Sequence, residues 1–520
     1  MEDLPGYPSS VWALVEQAAG RHGDHVILAD DYGRALTAPR LRDAAETVAA
    51  ALAVRGVAEG TVVSWQLPTT LETMVVMVAL ARLGAVQNPL MPFLREREVG
   101  FITQQVGTEL LVAPQRWRGF DHAAMAGELA RVHGFDVVLL DLEADAQGGM
   151  RLPAGDPSAL PAAITPSDQA TRWIYTSSGT TADPKGIRHS DRSVMCSASG
   201  PLCAGGASST DVNALAIPIS HIGGITMLTA SLMSGMRLVL FDTFDPAATP
   251  ERMAAHGSTL LGSAVPFFLA YFDAQRRHGA EPLFPDLRAL VAGGAPMPAE
   301  ISRQAREVLG VPGVVSSWGL TEFPVATFAS PDAPTEVLDH TTGRAVPGVE
   351  VRTVDEDGRP CAAGEEGELQ LRGPQCFLGY VDASLDADTF TDDGWLRTGD
   401  VGRIDADGNV SITGRIKDII IRNAENISAL EVEEALYRHP AVVDVAVVAA
   451  PDPRTGERVC AFVVPAPDSE PLTLEALADH CRGLGLAAQK WPERIEVVDA
   501  LPRSSFGKIL KEELKARVRA

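Results

Sequence analysis

The chain has 520 residues, 46% of them hydrophobic, so it has material for large cores and for more than one domain. Its formal net charge of −24 repels phosphate backbones and argues against a nucleic-acid partner. Six cysteines, at positions 196, 203, 361, 376, 460 and 481, form no C-x-x-C pair. That spacing argues against a disulfide framework or zinc site and for reduced thiols in a cytoplasmic setting.

The opening Met1-Glu2-Asp3-Leu4-Pro5 is acidic and broken by proline, unlike a secretory signal. Helical periodicity is predicted over 9–21 and 40–55, where Leu41, Ala45, Val48 and Leu52 share a face. Val62 to Trp65 and Leu110 to Val112 predict strands, with a mostly apolar helix from Thr73 to Leu83 between them. Strands alternating with helices predict parallel sheets covered by helices. Residues 143–167 predict a loop. Val212 to Met236 is long and apolar enough to raise a membrane span, but Pro218, His221, Gly223 and Gly224 interrupt it. It is expected to be a buried strand–turn–helix segment, with no membrane span. Leu238 to Phe241 predicts a buried strand, and residues 330–380 a β-rich piece. Near Arg415-Ile416-Lys417 the pattern restarts as a small α+β unit. Ser428-Ala429-Leu430-Glu431 reads as a capping box opening a helix to Arg438. Strands over Val442 to Val448, Val459 to Val464 and Ile495 to Val498, with a helix after Thr473, complete it. The fold class is therefore α/β: a large N-terminal domain of several βαβ sheets with a β-rich piece, followed by a small α+β C-terminal domain.

The strand-like run Trp173-Ile174-Tyr175 leads into Thr176-Ser177-Ser178-Gly179-Thr180-Thr181-Ala182-Asp183-Pro184-Lys185-Gly186. Five hydroxyl side chains, two glycines and one lysine lie within these eleven residues. Small residues let backbone N–H groups turn toward an anion, hydroxyls add donors, and a lysine adds a point charge. The composition suits a polyphosphate. A flexible surface loop is the plainer reading, but Pro184-Lys185-Gly186 ends the stretch at a fixed place. No G-x-x-x-x-G-K-[ST] match exists, so this is not a P-loop of the kinase and GTPase type.

The stretch resembles the phosphate loop of the adenylate-forming superfamily, which includes acyl-CoA synthetases, aryl-CoA ligases, luciferases and peptide-synthetase adenylation domains. Five more of its motifs follow in order: Ala292-Gly293-Gly294-Ala295-Pro296, Trp318-Gly319-Leu320-Thr321-Glu322, Gly394 to Asp400, Gly414 to Asp418, and Phe506-Gly507-Lys508. The resemblance implies an N-terminal adenylation domain over 1–414, a hinge at 415–417 centred on Lys417, and a mobile lid over 418–520. It also implies ATP, Mg²⁺ and CoA, and it leaves room for a homodimer.

Attack of a carboxylate on the α-phosphate of ATP brings two anions together, so positioning and fixed positive charge carry the catalysis. By resemblance, Thr176, Ser177, Ser178, Gly179, Thr180, Thr181 and Lys185 cradle the phosphates. Glu322 holds Mg²⁺, and Thr321 donates to the α-phosphate. Trp318 stands where tyrosine is usual and stacks on adenine beside Gly294 and Ala295; a plain core tryptophan is the rival reading. Asp400 accepts from the ribose hydroxyls, with an Asx turn as its plainer reading, and Arg415 binds ribose or phosphate. Lys508 reaches from the lid to bridge the acid and the nucleotide, a contact made mainly in the transition state. His221, Gly223, Gly224, Phe267, Gly293, Ser317, Trp318 and Phe323 are expected to line the acid pocket, with His221 also a catalytic candidate.

Two departures stand out. Arg422-Asn423-Ala424-Glu425-Asn426 replaces the usual glycine pair before Glu-Asn, and Phe506 replaces a small or hydroxyl residue. Both leave the adenylation residues intact and both bear on CoA transfer. His221 stands where amino-acid-activating domains carry an aspartate, so a substrate ammonium would go unpaired and amino acids are not expected. The pocket residues predict a hydrophobic carboxylic acid. The early wording Asn88-Pro89-Leu90-Met91-Pro92 is similar to that of alicyclic and medium-chain acyl-CoA ligases. Three functions compete: an acid–CoA ligase, an acyl-AMP ligase that hands its product to a partner, and a non-catalytic nucleotide-binding protein on the same fold.

Overall fold

The computed structural model describes residues 7–142, 150–177, 184–423, 425–467, 469–504 and 507–519. The expected phosphate-loop residues Ser178, Gly179, Thr180 and Thr181, and the departures at Ala424 and Phe506, lie outside the described residues, as does the side chain of Ser177.

Two largely parallel sheets build the large domain. In the six-stranded sheet, Trp173–Ser177, Val86–Pro89, Val62–Trp65, Leu110–Pro114 and Asp136–Leu140 run parallel, and Lys185–His189 closes one edge antiparallel. In the nine-stranded sheet, Val212–Leu215, Leu260–Ser263, Ala289–Ala292 and Val314–Leu320 are successive parallel partners or neighbours. Phe323–Phe328 then turns back antiparallel on Val314–Leu320. Helices cover parallel sheets on both faces, which is why strands such as Leu110–Pro114 are apolar and buried throughout. The helix Leu71–Leu83 is apolar on nearly every side because it sits in a core shared by strands of both sheets. Thr70 caps its first turn and Gly84, at φ 67°, ends it in the left-handed region.

Val212 to Met236 resolves into the strand Val212–Leu215 and the helix Ile222–Ser234. Among the described residues no helix is long and apolar enough to cross a membrane.

The β-rich piece is a four-stranded antiparallel sheet of Glu350–Val354, Gly367–Arg372, Leu396–Ile404 and Val410–Arg415. The chain leaves it at Arg415, passes through a 3-10 turn over Ile416–Asp418, and enters a five-stranded sheet at Ile419. This sheet is buried on both faces. Val445 and Val447 point into one core, Ala446 and Val448 into the other, as the strand period of two requires. The capping box at Ser428 is half made. Ser428 Oγ accepts from the Glu431 N–H at 3.3 Å. The Glu431 carboxylate takes the Lys490 ammonium at 2.7 Å and does not turn back to the cap. Ser428 Oγ also donates to the Thr413 carbonyl, which ties this helix to the neighbouring sheet.

Candidate active site

Chain segments from both domains meet at a cavity of about 220 Å³. Gly294, Ala295, Trp318, Asp400 and Arg415 line it from the large domain, and Lys417 and Lys508 from the 3-10 turn Ile416–Asp418 and the small domain. Gly507 lies against Ala264 and Pro266, so the Lys508 loop is docked on the large domain.

Backbone register brings Asp400 and Arg415 together. They are direct partners on the antiparallel strands Leu396–Ile404 and Val410–Arg415. Arg415 Nε lies 2.5 Å from Asp400 Oδ1 as an ion pair, but the angle does not make an aligned hydrogen bond. Asp400 Oδ2 accepts from Trp318 Nε1 at 2.8 Å. Trp318 is both a wall of the cavity and a largely buried side chain, so the two readings of this tryptophan are not exclusive. Gly294 needs its glycine for a φ of 78°, and a Cβ there would meet no atom within 4 Å, consistent with its place on the cavity wall.

Thr321 and Glu322 form the tight turn between Val314–Leu320 and Phe323–Phe328. A Cβ on Gly319 would come 2.3 Å from the Pro324 carbonyl, so the hairpin closes only with glycine there. His189 Nε2 donates to the Thr321 carbonyl at 2.8 Å, and its Nδ1 meets Ser193 Oγ at 3.0 Å. A carbonyl only accepts, so the proton sits on Nε2. Burial pushes the His189 pKa down to about 4, so the ring is neutral at neutral pH. Glu322 Oε1 accepts from Tyr380 Oη at 2.8 Å, and the Lys185 ammonium stands 5.1 Å from the centre of the Tyr380 ring. Lys185 and Glu322, far apart in sequence, therefore converge on one tyrosine. The sequence analysis missed Tyr380 and His189. The period of two puts His189 on the same strand face as Lys185, a signal that was legible. Nothing local singles out Tyr380.

Lys508 is half-buried and faces Arg415 and Lys417. Loss of solvent, then these two charges, pulls its pKa from 10.5 down to about 8, against Asp400 and Asp418. Burial also holds His221 down at about 4, with Lys508 adding to the shift, so His221 is neutral. His221 Nδ1 accepts from the Gly223 N–H at 3.1 Å and caps the helix Ile222–Ser234. With Met91, Thr176, Ser220 and Thr321 it lines a second, water-sized cavity of about 10 Å³.

Several expected pocket residues do other work. Phe323 is fully buried and its ring end faces Gly373, so it is a core residue and lines neither cavity. Phe267 packs on Phe244, ring centres 4.4 Å apart, outside both cavities. Gly224 leaves no room for a bulky acid: a Cβ there would lie 2.3 Å from the Ile219 carbonyl. Gly223 faces His221, and Gly293 faces Ser317 Oγ at 2.7 Å from a built Cβ. Ser317 lines the larger cavity, and its hydroxyl also donates to the Ala292 carbonyl at 3.0 Å and joins neighbouring strands. The expectation that Gly224 makes space for bulk is thus corrected to close backbone packing, while Gly223 lies against the His221 side chain.

The chain is similar to known proteins in sequence and in fold. The family model "AMP-binding enzyme" matches residues 15–381, and "AMP-binding enzyme C-terminal domain" matches 431–508. The chain is 32% identical over 504 residues to a medium-chain fatty-acid–CoA ligase of Escherichia coli K12, covering 95% of this chain and 88% of that enzyme. It is 34% identical over 527 residues to a salicyl-AMP ligase / salicyl-S-ArCP synthetase of Mycobacterium tuberculosis, covering 96% and 89%. The crystal structure of ATP-bound MatB from Rhodopseudomonas palustris superposes with a TM-score of 0.87 at 26% identity, covering 97% of this chain and 98% of that one.

Proposed function

We propose, on the premise that this chain is a member of the AMP-binding enzyme family, that it activates a hydrophobic carboxylic acid with ATP and then passes the acyl group to CoA. It is an adenylate-forming ligase of α/β fold that uses ATP. The acid and the second step are the proposal.

The observation that carries it is Lys508. This lysine comes from the small domain, yet it lines the same cavity as Trp318, Asp400 and Arg415. Its ammonium, half-stripped of water, is the mobile cation that an acid and an α-phosphate need between them. Asp400 and Arg415 take the ribose and Trp318 the purine. Lys185 and the hydroxyl-rich turn before it hold the β- and γ-phosphates, and Thr321 the α-phosphate. Among the described residues no three His, Cys, Asp or Glu side chains are placed to hold a metal, so Glu322 offers a lone carboxylate. That fits Mg²⁺, which keeps waters and phosphate oxygens as its other ligands. Bound there, Mg²⁺ would neutralise phosphate charge. Tyr380 orients the Glu322 oxygen toward that task.

Neutral His221 offers no negative charge to an ammonium, which supports an acid without one. The relatives' names support both a CoA acceptor and a carrier-protein acceptor. One observation bears on the choice: Asn423 takes φ 50° in the turn between Ile419–Arg422 and Glu425–Ser428, where the usual motif has glycine. Asparagine tolerates the left-handed region without distortion. Asn423 thus takes the backbone conformation that glycine would supply at its position, which supports the CoA reading. An acid panel scored by acid-dependent exchange of pyrophosphate into ATP tests the first step. Acyl-CoA formation with the best acid tests the second. Exchange without acyl-CoA selects the acyl-AMP ligase reading, and no exchange with any acid ends both.

A further inference from the structure

We propose that Trp318 is a positioning residue for sugar recognition: its indole N–H turns the Asp400 carboxylate so that one oxygen is left for the ribose. The inference rests on the nucleotide-site reading above and deepens it. The Trp318–Asp400 hydrogen bond is 2.8 Å long and buried, with Asp400 2% and Trp318 7% exposed. A neutral donor spent on a carboxylate in a dry place is a strong interaction.

The backbone alone does not orient this carboxylate. Pairing with Arg415 across the two strands fixes the position of Asp400, and its own N–H donates to Thr398 Oγ1 at 3.0 Å. The terminal torsion of an aspartate is broad and roughly two-fold. Two groups donate to Oδ2, the indole N–H at 2.8 Å and Arg415 Nη2 at 3.5 Å, and the shorter indole bond is the one that holds the torsion. Oδ1 is then left on the Arg415 side of the cavity. It is buried, and Arg415 meets it at 2.5 Å by charge without an aligned hydrogen bond. A carboxylate accepts about four hydrogen bonds, so Oδ1 keeps capacity for a hydroxyl. The two parts of this aromatic residue therefore do different work. Its face serves the purine, as any aromatic would. Its N–H edge serves the sugar's partner, which a phenyl ring cannot do.

The test is nucleotide binding by calorimetry, with AMP, 2′-deoxyAMP and 3′-deoxyAMP as probes, on the wild type and on Trp318→Phe. We expect the wild type to prefer AMP over at least one deoxy analogue by about tenfold, the worth of one hydrogen bond to a charged group. In Trp318→Phe that preference should fall to about twofold, because Oδ2 then keeps only the long contact with Arg415 while the ring face remains. ATP and its deoxy analogues in the exchange assay should give the same narrowing of the ratio. If Trp318→Phe weakens all three probes alike and leaves the preference intact, Trp318 acts only through its face and the inference is overturned. Should Trp318→Phe fail to fold, Trp318→Leu also lacks a donor, and its ratio of AMP to deoxy-analogue binding is read the same way. A wild type that binds none of the three probes would overturn the nucleotide-site reading, and this inference with it. A wild type that binds AMP with an unchanged preference in the variant would overturn this inference alone.

Discussion

At the scale of single residues, the site depends on side chains whose charge or direction is set by a neighbour. Lys508 is the plainest case. With its pKa held at about 8, it is charged below that pH and loses its charge as pH rises through it. Pyrophosphate exchange should therefore decline on the alkaline side with a midpoint near pH 8. In Lys508→Arg the decline should move well up, because a guanidinium stays charged. A rate flat to pH 10 in the wild type would refute the assignment. Tyr380 is the second case. Its hydroxyl donates to Glu322 at 2.8 Å while its ring faces Lys185. Losing a hydrogen bond to a charged group costs about 1.5–3 kcal/mol, so Tyr380→Phe should lower kcat/KM for MgATP by roughly tenfold or more. A titration of Mg²⁺ against the exchange rate should show the variant needing more metal. An unchanged Mg²⁺ requirement would leave Tyr380 a packing residue.

At the scale of elements, what matters is how ends are tied. The helix Ala429–Tyr437 begins at Ser428, whose hydroxyl both caps the first turn and donates to Thr413 across the sheet-to-sheet passage. One atom thus serves helix and junction. Removing an N-cap costs about 1 kcal/mol and up to about 2. Ser428→Ala should reach the upper end of that range in denaturant unfolding of the small domain, because two bonds are lost. Glu431→Ala should cost less, about 0–1 kcal/mol, since its carboxylate makes a half-exposed ion pair with Lys490 and not the second half of a capping box. Equal losses in the two variants would argue against this ordering. The hairpin holding Thr321 and Glu322 is tied similarly, by His189 on the Thr321 carbonyl and by the Phe377 N–H on the Glu322 carbonyl at 2.9 Å. The Thr321-Glu322 turn is braced from both sides by chain that lies far from it in sequence.

At the scale of the whole molecule, the cavity exists because the small domain is docked. Lys508, Gly507 and Lys417 form part of its wall together with Ser428, Glu433 and Tyr437 of the small domain, and the remaining lining comes from the nine-stranded sheet with its flanking turns and from the β-rich piece. A lysine that belongs to the first step alone must leave before CoA arrives. Lys508→Ala should abolish exchange yet still convert supplied acyl-AMP to acyl-CoA at a rate within a few-fold of the wild type. The two half-reactions are measured separately, and an equal loss in both would mean that the small domain does not alternate. The 3-10 turn Ile416–Asp418, in which Lys417 sits between the two sheets, is where such a rotation would pass.

Much of this was readable in one dimension. Periodicity placed the helix Leu71–Leu83 and the strands Val62–Trp65, Leu110–Pro114 and Arg494–Val497 to within a few residues, because local pattern sets local structure. Six ordered motifs identified the family, since each is a short run whose chemistry is carried by its own residues. What stayed hidden was long-range. Gly224 looks like room for a substrate but is a contact with the Ile219 carbonyl, and Phe323 looks like a pocket wall but is core. The meeting of Trp318 with Asp400, and of Tyr380 with Glu322, pairs residues separated by 82 and 58 positions. The chain by itself determined which chemical groups are present and how each stretch folds locally. Only the packing of sheets against one another decided which groups touch, because a side chain's orientation, charge and remaining hydrogen-bonding capacity are set by neighbours that the linear order does not name.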